Sequence, residues 1–105
     1  MFVSTPDLLT KLKDFNNPLS KKYKEHLETV DLIVFDDVAI SEMISQYDYV
    51  QLFNIINNRT LAQKSNIFTS NVTDYEHLES ILGQRLASRI YKASEVIELK
   101  GMGVR

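Results

Sequence analysis

Along this chain, short apolar runs alternate with stretches whose apolar residues recur at helical spacing. The densest run is Leu32-Ile33-Val34-Phe35, which ends in two adjacent carboxylates, Asp36-Asp37. A short apolar run bounded by polar residues predicts a strand buried on both faces, the kind found in parallel sheets. Met1-Phe2-Val3 predicts a short strand before it. Asn66-Ile67-Phe68-Thr69-Ser70-Asn71 and the alternating Glu95-Val96-Ile97-Glu98-Leu99 predict two more after it. The first helical stretch carries Leu8, Leu9, Leu12 and Phe15 behind Ser4 and Pro6, and Asn16-Asn17-Pro18 stops it. Ser20 then predicts the cap of a more polar helix running to about Glu28, with Tyr23 and Leu27 four apart on one face. From Ser45 to Gln63 the pattern predicts the longest helix: Val50, Leu52, Phe53, Ile55, Ile56 and Leu61 cover a broad apolar face, and Asn54, Asn57, Asn58 and Arg59 are polar positions. Thr73-Asp74-Tyr75-Glu76 matches a capping box, with Thr73 at the cap. Leu78, Ile81 and Leu82 carry the helix it opens to Gly83, a natural stop. Strands alternating with helices predict an α/β fold on a parallel sheet.

Composition narrows the function classes. A chain of 105 residues is one domain with a modest core. Its net charge of -2 does not favour a dedicated nucleic-acid binder, although it leaves room for a local basic stripe. Lys21, Lys22 and Lys24 form the densest basic group, diluted by Glu25 and Glu28, and read either as a solvated helix face or as a phosphate-binding patch. With no cysteine, disulfides, thiolate nucleophiles and thiolate metal ligands are excluded. His26 and His77 lack metal-ligand spacing and read as surface residues. No apolar run approaches the roughly 20 residues of a membrane span, and no signal peptide is visible, so the chain reads as cytoplasmic.

Two places carry candidate chemistry. In open α/β sheets ligands bind outside the carboxyl ends of the strands, which is where Asp36 and Asp37 fall. In a nucleotide-hydrolysing domain this is the Walker B position, where the acid helps hold Mg²⁺ beside the phosphates. The same two acids could instead cap a turn or a following helix at the end of an ordinary core strand. Further on, Gln84-Arg85-Leu86-Ala87-Ser88-Arg89-Ile90-Tyr91 predicts a helix with Arg85 and Arg89 four apart on one face, and Leu86 and Ile90 turned to the core beside them.

The ordered set LIVFDDV, NIFTSN, GQRLASRIY and EVIELKG resembles the C-terminal half of bacterial AAA+ helicase loaders of the DnaC/DnaI type, with the IstB transposition ATPases as near neighbours. The resemblance runs over essentially the whole chain, from the TPDLL segment onward. It implies a parallel-sheet, P-loop NTPase-like (AAA+) fold, with residues 1–105 forming a single partial ATPase domain. Asp36 would then be the Walker B acid on the Mg²⁺ side, and Asp37 would stand where many relatives place the Glu that activates water. Asn71 would be the sensor-1 residue, and Arg89 the arginine finger offered to a neighbouring subunit's ATP. Arg85 would be its companion one turn earlier, and Arg105 would lie near a sensor-2 arginine. The implied partners are the replicative DNA helicase, other loader subunits in a homo-oligomer, and single-stranded DNA, with no membrane.

One departure from the family stands out. A phosphate-cradling loop needs G-x-x-x-x-G-K-[ST], and none of the three glycines, Gly83, Gly101 and Gly103, begins that pattern. The resemblance therefore implies a truncated AAA+ domain lacking the P-loop strand. It would be either a piece of a longer ATPase or the descendant of a loader that lost that half, and not an active ATPase alone. In the family the P-loop strand lies between the strands at 66–70 and 95–99, so its absence implies unpaired edges there. Two other readings are a non-enzymatic interaction module that keeps a loader's surface, and a receiver domain imitated by Asp36-Asp37, Thr69-Ser70 and Lys100. The receiver reading lacks room for a strand ending in a phospho-acceptor Asp between Asp37 and Thr69, because the long helix fills that space.

Overall fold

The computed structural model describes residues 1–13, 17–39, 44–72 and 74–92. The expected strand at 95–99, together with Lys100 and Arg105, lies outside the described residues, as do Phe15 and Thr73. The elements run β1 (Phe2–Ser4), α1 (Thr5–Leu12), α2 (Pro18–Thr29), β2 (Leu32–Asp36), α3 (Gln46–Leu61), β3 (Ser65–Phe68), α4 (Tyr75–Leu82) and α5 (Gln84–Lys92). The three strands form a parallel sheet in the order β1-β2-β3, with Val34 opposite both Phe2 and Ile67. The α/β class and the parallel sheet are as the pattern predicts.

Four local expectations are corrected. First, α1 ends at Leu12 rather than at Asn16-Asn17-Pro18, and those last two residues begin the next helix instead. Asn17 caps α2, its side chain accepting from the Leu19 N–H at 3.0 Å, and Pro18 takes the first helical position, where a missing N–H costs nothing. Second, Ser20 is therefore inside α2, and its hydroxyl donates to the Lys11 carbonyl at 2.9 Å, tying α2 to α1. Third, α4 is capped by Asp74, whose carboxylate accepts from the His77 N–H at 2.9 Å. An Asp one position later does the work expected of Thr73.

The fourth correction concerns β2, which is buried on one face only. Ile33 and Phe35 are fully buried, whereas Leu32 is 42% exposed and Val34 is half-buried. Topology explains the difference. The crossovers β1→β2 and β2→β3 step the same way across the sheet, and right-handed connections then lay their helices on the same face. On that face Ile33 and Phe35 meet Leu27 of α2 and Leu52, Ile55 and Ile56 of α3, all buried in one core with Leu82, Leu86 and Ile90. Phe68 of β3 stacks on Phe35 with ring centroids 5.2 Å apart. The opposite face presents Phe2 at 68% exposure and Ile67 at 49%, in register with Val34 between them.

An apolar stripe of this kind on a three-stranded sheet is a natural self-association surface. The 105-residue chain is expected to dimerise at micromolar concentration, pairing sheets or edge strands. Sedimentation that shows a clean monomer on concentration would contradict this.

Arg59 is the largest fully buried side chain among the described residues, although the sequence pattern placed it on a polar face. Its guanidinium uses all five N–H groups. Nε donates to Asn66 Oδ1 at 2.6 Å, Nη1 to the carbonyls of Leu27 and Val30 at 2.7 Å each, and Nη2 to those of Ser65 at 2.7 Å and Asp31 at 3.5 Å. Leu27 and Val30 lie at the C-terminal end of α2, where carbonyls lack intrahelical donors and the helix dipole favours a cation. One α3 side chain therefore closes the end of α2 and fixes the starts of β2 and β3. Burial pulls its pKa below the ordinary arginine value, and Asp31 offsets part of that shift.

Candidate functional site

The site grows from the carboxyl ends of β2 and β3. β2 delivers Asp36 as its last residue and Asp37 as the first residue of the turn beyond. Asp37 adopts a left-handed backbone with φ 54°, which Asp tolerates better than most residues because its short polar side chain can hydrogen-bond locally. Beside this turn, Thr69 follows β3 directly and addresses four successive residues. Its N–H donates to the Phe35 carbonyl at 3.0 Å, and its own carbonyl accepts from the Val38 N–H at 3.0 Å. Its hydroxyl donates to Asp36 Oδ1 at 2.5 Å and accepts from the Asp37 N–H at 3.1 Å.

Asn71 is exposed two residues after Thr69, so the acids and the expected sensor residue leave the sheet from neighbouring strand tips. Phe35, which precedes the acids, stacks on Phe68, and Val38 and Ala39, which follow them, are buried.

The arginines are carried by a different element, α5. α5 seats Leu86, Ala87 and Ile90 in the core, which turns Arg85 and Arg89 toward α3. Both guanidiniums lie over the ring of Phe53, at 5.4 Å for Arg85 and 5.8 Å for Arg89. Phe53 in turn stacks on Tyr49 at 5.8 Å. Cation–π contacts of this kind hold a guanidinium in place without neutralising it. Gly83, at φ 86°, makes the sharp break between α4 and α5 that lets α5 take this course.

The structure thus brings Asp36 and Asp37 together with Thr69, and Arg85 together with Arg89. Arg105 lies outside the described residues. In the sequence, Thr69 figures as a site residue only within the receiver-domain alternative, and Phe53 is not singled out as the arginine platform. A hydroxyl directly after a strand that neighbours an acid-tipped strand was the available signal for Thr69.

As for cofactors, Mg²⁺ characteristically takes one or two carboxylates and completes its shell with water and substrate phosphates. The donor set fits that habit, since a carboxylate pair stands at the strand tips and no group of three or more metal-ligating side chains occurs among the described residues.

No known family profile matches the chain, and no curated protein matches it. Solved structures do. The chain is similar to a DnaC helicase loader, with a TM-score of 0.79 and 28% identity over 90% of this chain and 57% of that one. It is similar to a DNA replication initiation factor, with a TM-score of 0.71 and 21% identity over 88% of this chain and 28% of that one. AMPPCP-bound DnaA from Aquifex aeolicus matches with a TM-score of 0.70 and 22% identity over 85% of this chain and 27% of that one. The chain spans less than two thirds of the length of each of these structures. Its fold is the AAA+ fold of these replication proteins.

Proposed function

We propose that this chain is the Walker B, sensor-1 and arginine-finger segment of a AAA+ helicase loader of DNA replication. The observation that carries the reading is the acid pair pinned at the β2 tip in a fold similar to the DnaC loader. Phosphoryl transfer is catalysed mainly by positioning and by neutralising charge on the transferring group. In this reading Asp36 holds the Mg²⁺ side of the nucleotide, and Mg²⁺ bound with ATP supplies the charge neutralisation. Asp37 accepts the proton of the attacking water, Asn71 orients that water, and Arg89 with Arg85 reaches the nucleotide of a neighbouring subunit. Arg85 and Arg89 both rest on Phe53, and a finger acting in trans requires an oligomer in which each nucleotide is shared. The proposed partners are the replicative helicase, further loader subunits and single-stranded DNA.

The test is ATP-dependent loading of the replicative helicase onto circular single-stranded DNA by the intact protein. Loading that depends on Asp36 is expected, and a protein with no effect on helicase occupancy would overturn the proposal. A second expectation concerns the 105-residue chain by itself. A P-loop's backbone N–H groups and lysine supply most phosphate contacts, and this sequence contains no such motif. Isothermal titration with Mg·ATP should therefore show no tight binding, and low-micromolar affinity would contradict the assignment.

A further inference from the structure

Thr69 stands out because every polar atom it has is spent on the acid turn. Its N–H and carbonyl bond to Phe35 and Val38, and its hydroxyl bonds to Asp36 and Asp37. The two backbone bonds only continue the β2–β3 pairing and any residue could make them. The two hydroxyl bonds are different in kind. A threonine hydroxyl has one proton to give, and here it goes to the Asp36 carboxylate, a charge-assisted bond of the stronger class. The lone pair facing Asp37 accepts the N–H of a residue held in the left-handed region. One side chain thereby sets the rotamer of the first acid and the backbone of the second, and Asn71 departs from the same strand two residues later.

We propose that Thr69 is a positioning residue that locks Asp36 and Asp37 into their working arrangement and registers them against Asn71. This rests on the ATPase reading above. Packing alone would be an alternative use of a threonine here, because its methyl group has nearly the shape of one branch of valine. The two roles separate cleanly by substitution. Thr69→Val keeps shape and both backbone bonds but removes the hydroxyl, whereas Thr69→Ser keeps the hydroxyl and removes the methyl.

The experiment has two arms. In the 105-residue chain, amide hydrogen exchange by NMR reads the tether directly and needs no activity. Thr69→Val should lower protection of the Asp37 amide by about tenfold, the order of one hydrogen bond, while the Val38 amide, bonded to the Thr69 carbonyl, keeps its protection. Thr69→Ser should leave the Asp37 amide protected. In the intact protein, Thr69→Val should reduce kcat for ATP hydrolysis by about 10²-fold, the scale of a small misplacement of catalytic groups, with KM for Mg·ATP changed less than about twofold. Thr69→Ser should restore most of the turnover. A valine variant indistinguishable from wild type in both arms, or a serine variant as impaired as the valine one, would overturn the positioning role. If the intact wild-type protein hydrolyses no ATP at all, the ATPase reading fails, and the exchange arm alone still decides whether the hydroxyl holds the acid turn.

Discussion

Replacing Arg89 with alanine is expected to cost the intact protein a factor of about 10³ or more in ATP hydrolysis, the effect typical of removing an arginine finger. Nucleotide binding should survive, because a finger acts mainly on charge that develops as the phosphoryl group transfers. The structure adds a reason to expect a clean result. Arg89 rests on the Phe53 ring beside Arg85, so its loss leaves the Leu86, Ala87 and Ile90 contacts that hold α5 in the core. Arg85 stays on Phe53 in the variant and provides a control: Arg85→Ala should be milder if Arg89 is the finger. Steady-state turnover and nucleotide affinity, measured side by side, check this. Normal hydrolysis by Arg89→Ala would show that the finger is assigned to the wrong residue.

The second large effect is on stability. Arg59→Met should destabilise the chain by about 3–5 kcal/mol, because several acceptors lose their donor at once, at about 1–3 kcal/mol for each one left buried. Methionine fills much of the volume but offers no donor. The carbonyls of Leu27, Val30 and Ser65 and the Asn66 side chain would lose their N–H partners in the interior. Small domains are typically stable by about 5–15 kcal/mol, so the variant should lose a large share of that margin and unfold at a clearly lower urea concentration. Arg59→Lys should rescue little, since an ammonium has three donors on a point charge and cannot reproduce the planar five-donor fork. Urea unfolding followed by circular dichroism measures both variants. A midpoint for Arg59→Met close to that of the parent chain would contradict this account of the core.

Much of the architecture is legible in the order of apolar patterns. The run Leu32–Phe35, the long helical stretch with Leu52, Ile55 and Ile56, and the Asp36-Asp37 pair at a strand end predict a parallel α/β sheet with acids at its tips. What escapes the pattern has physical causes. Whether one or both faces of a strand are covered depends on crossover direction, so Leu32 reads as core in sequence yet sits on the open face. Arg59 continues the spacing of the buried stripe, seven residues after Leu52 and three after Ile56. Its chemical type masked that position, because an arginine is buried only when the fold gathers enough carbonyls around it. Thr69 matters through bonds across strands to residues more than 30 positions away, which no local pattern encodes. The helix caps at Asn17 and Asp74 show the same limit on a smaller scale. Several capping residues stand in a row in each case, and packing decides which one is used.

In the proposed oligomer, Asp36 and Arg89 of one chain serve the nucleotides of two different subunits. Mixing two inactive variants of the intact protein distinguishes this arrangement from action within one subunit. Asp36→Asn subunits have a disabled acid but an intact finger, and Arg89→Ala subunits have the reverse. In a mixed oligomer some interfaces place a working Asp36 opposite a working Arg89. Each variant alone should be inactive, and mixing them should restore measurable ATP hydrolysis. A mixture as inactive as its components would contradict it.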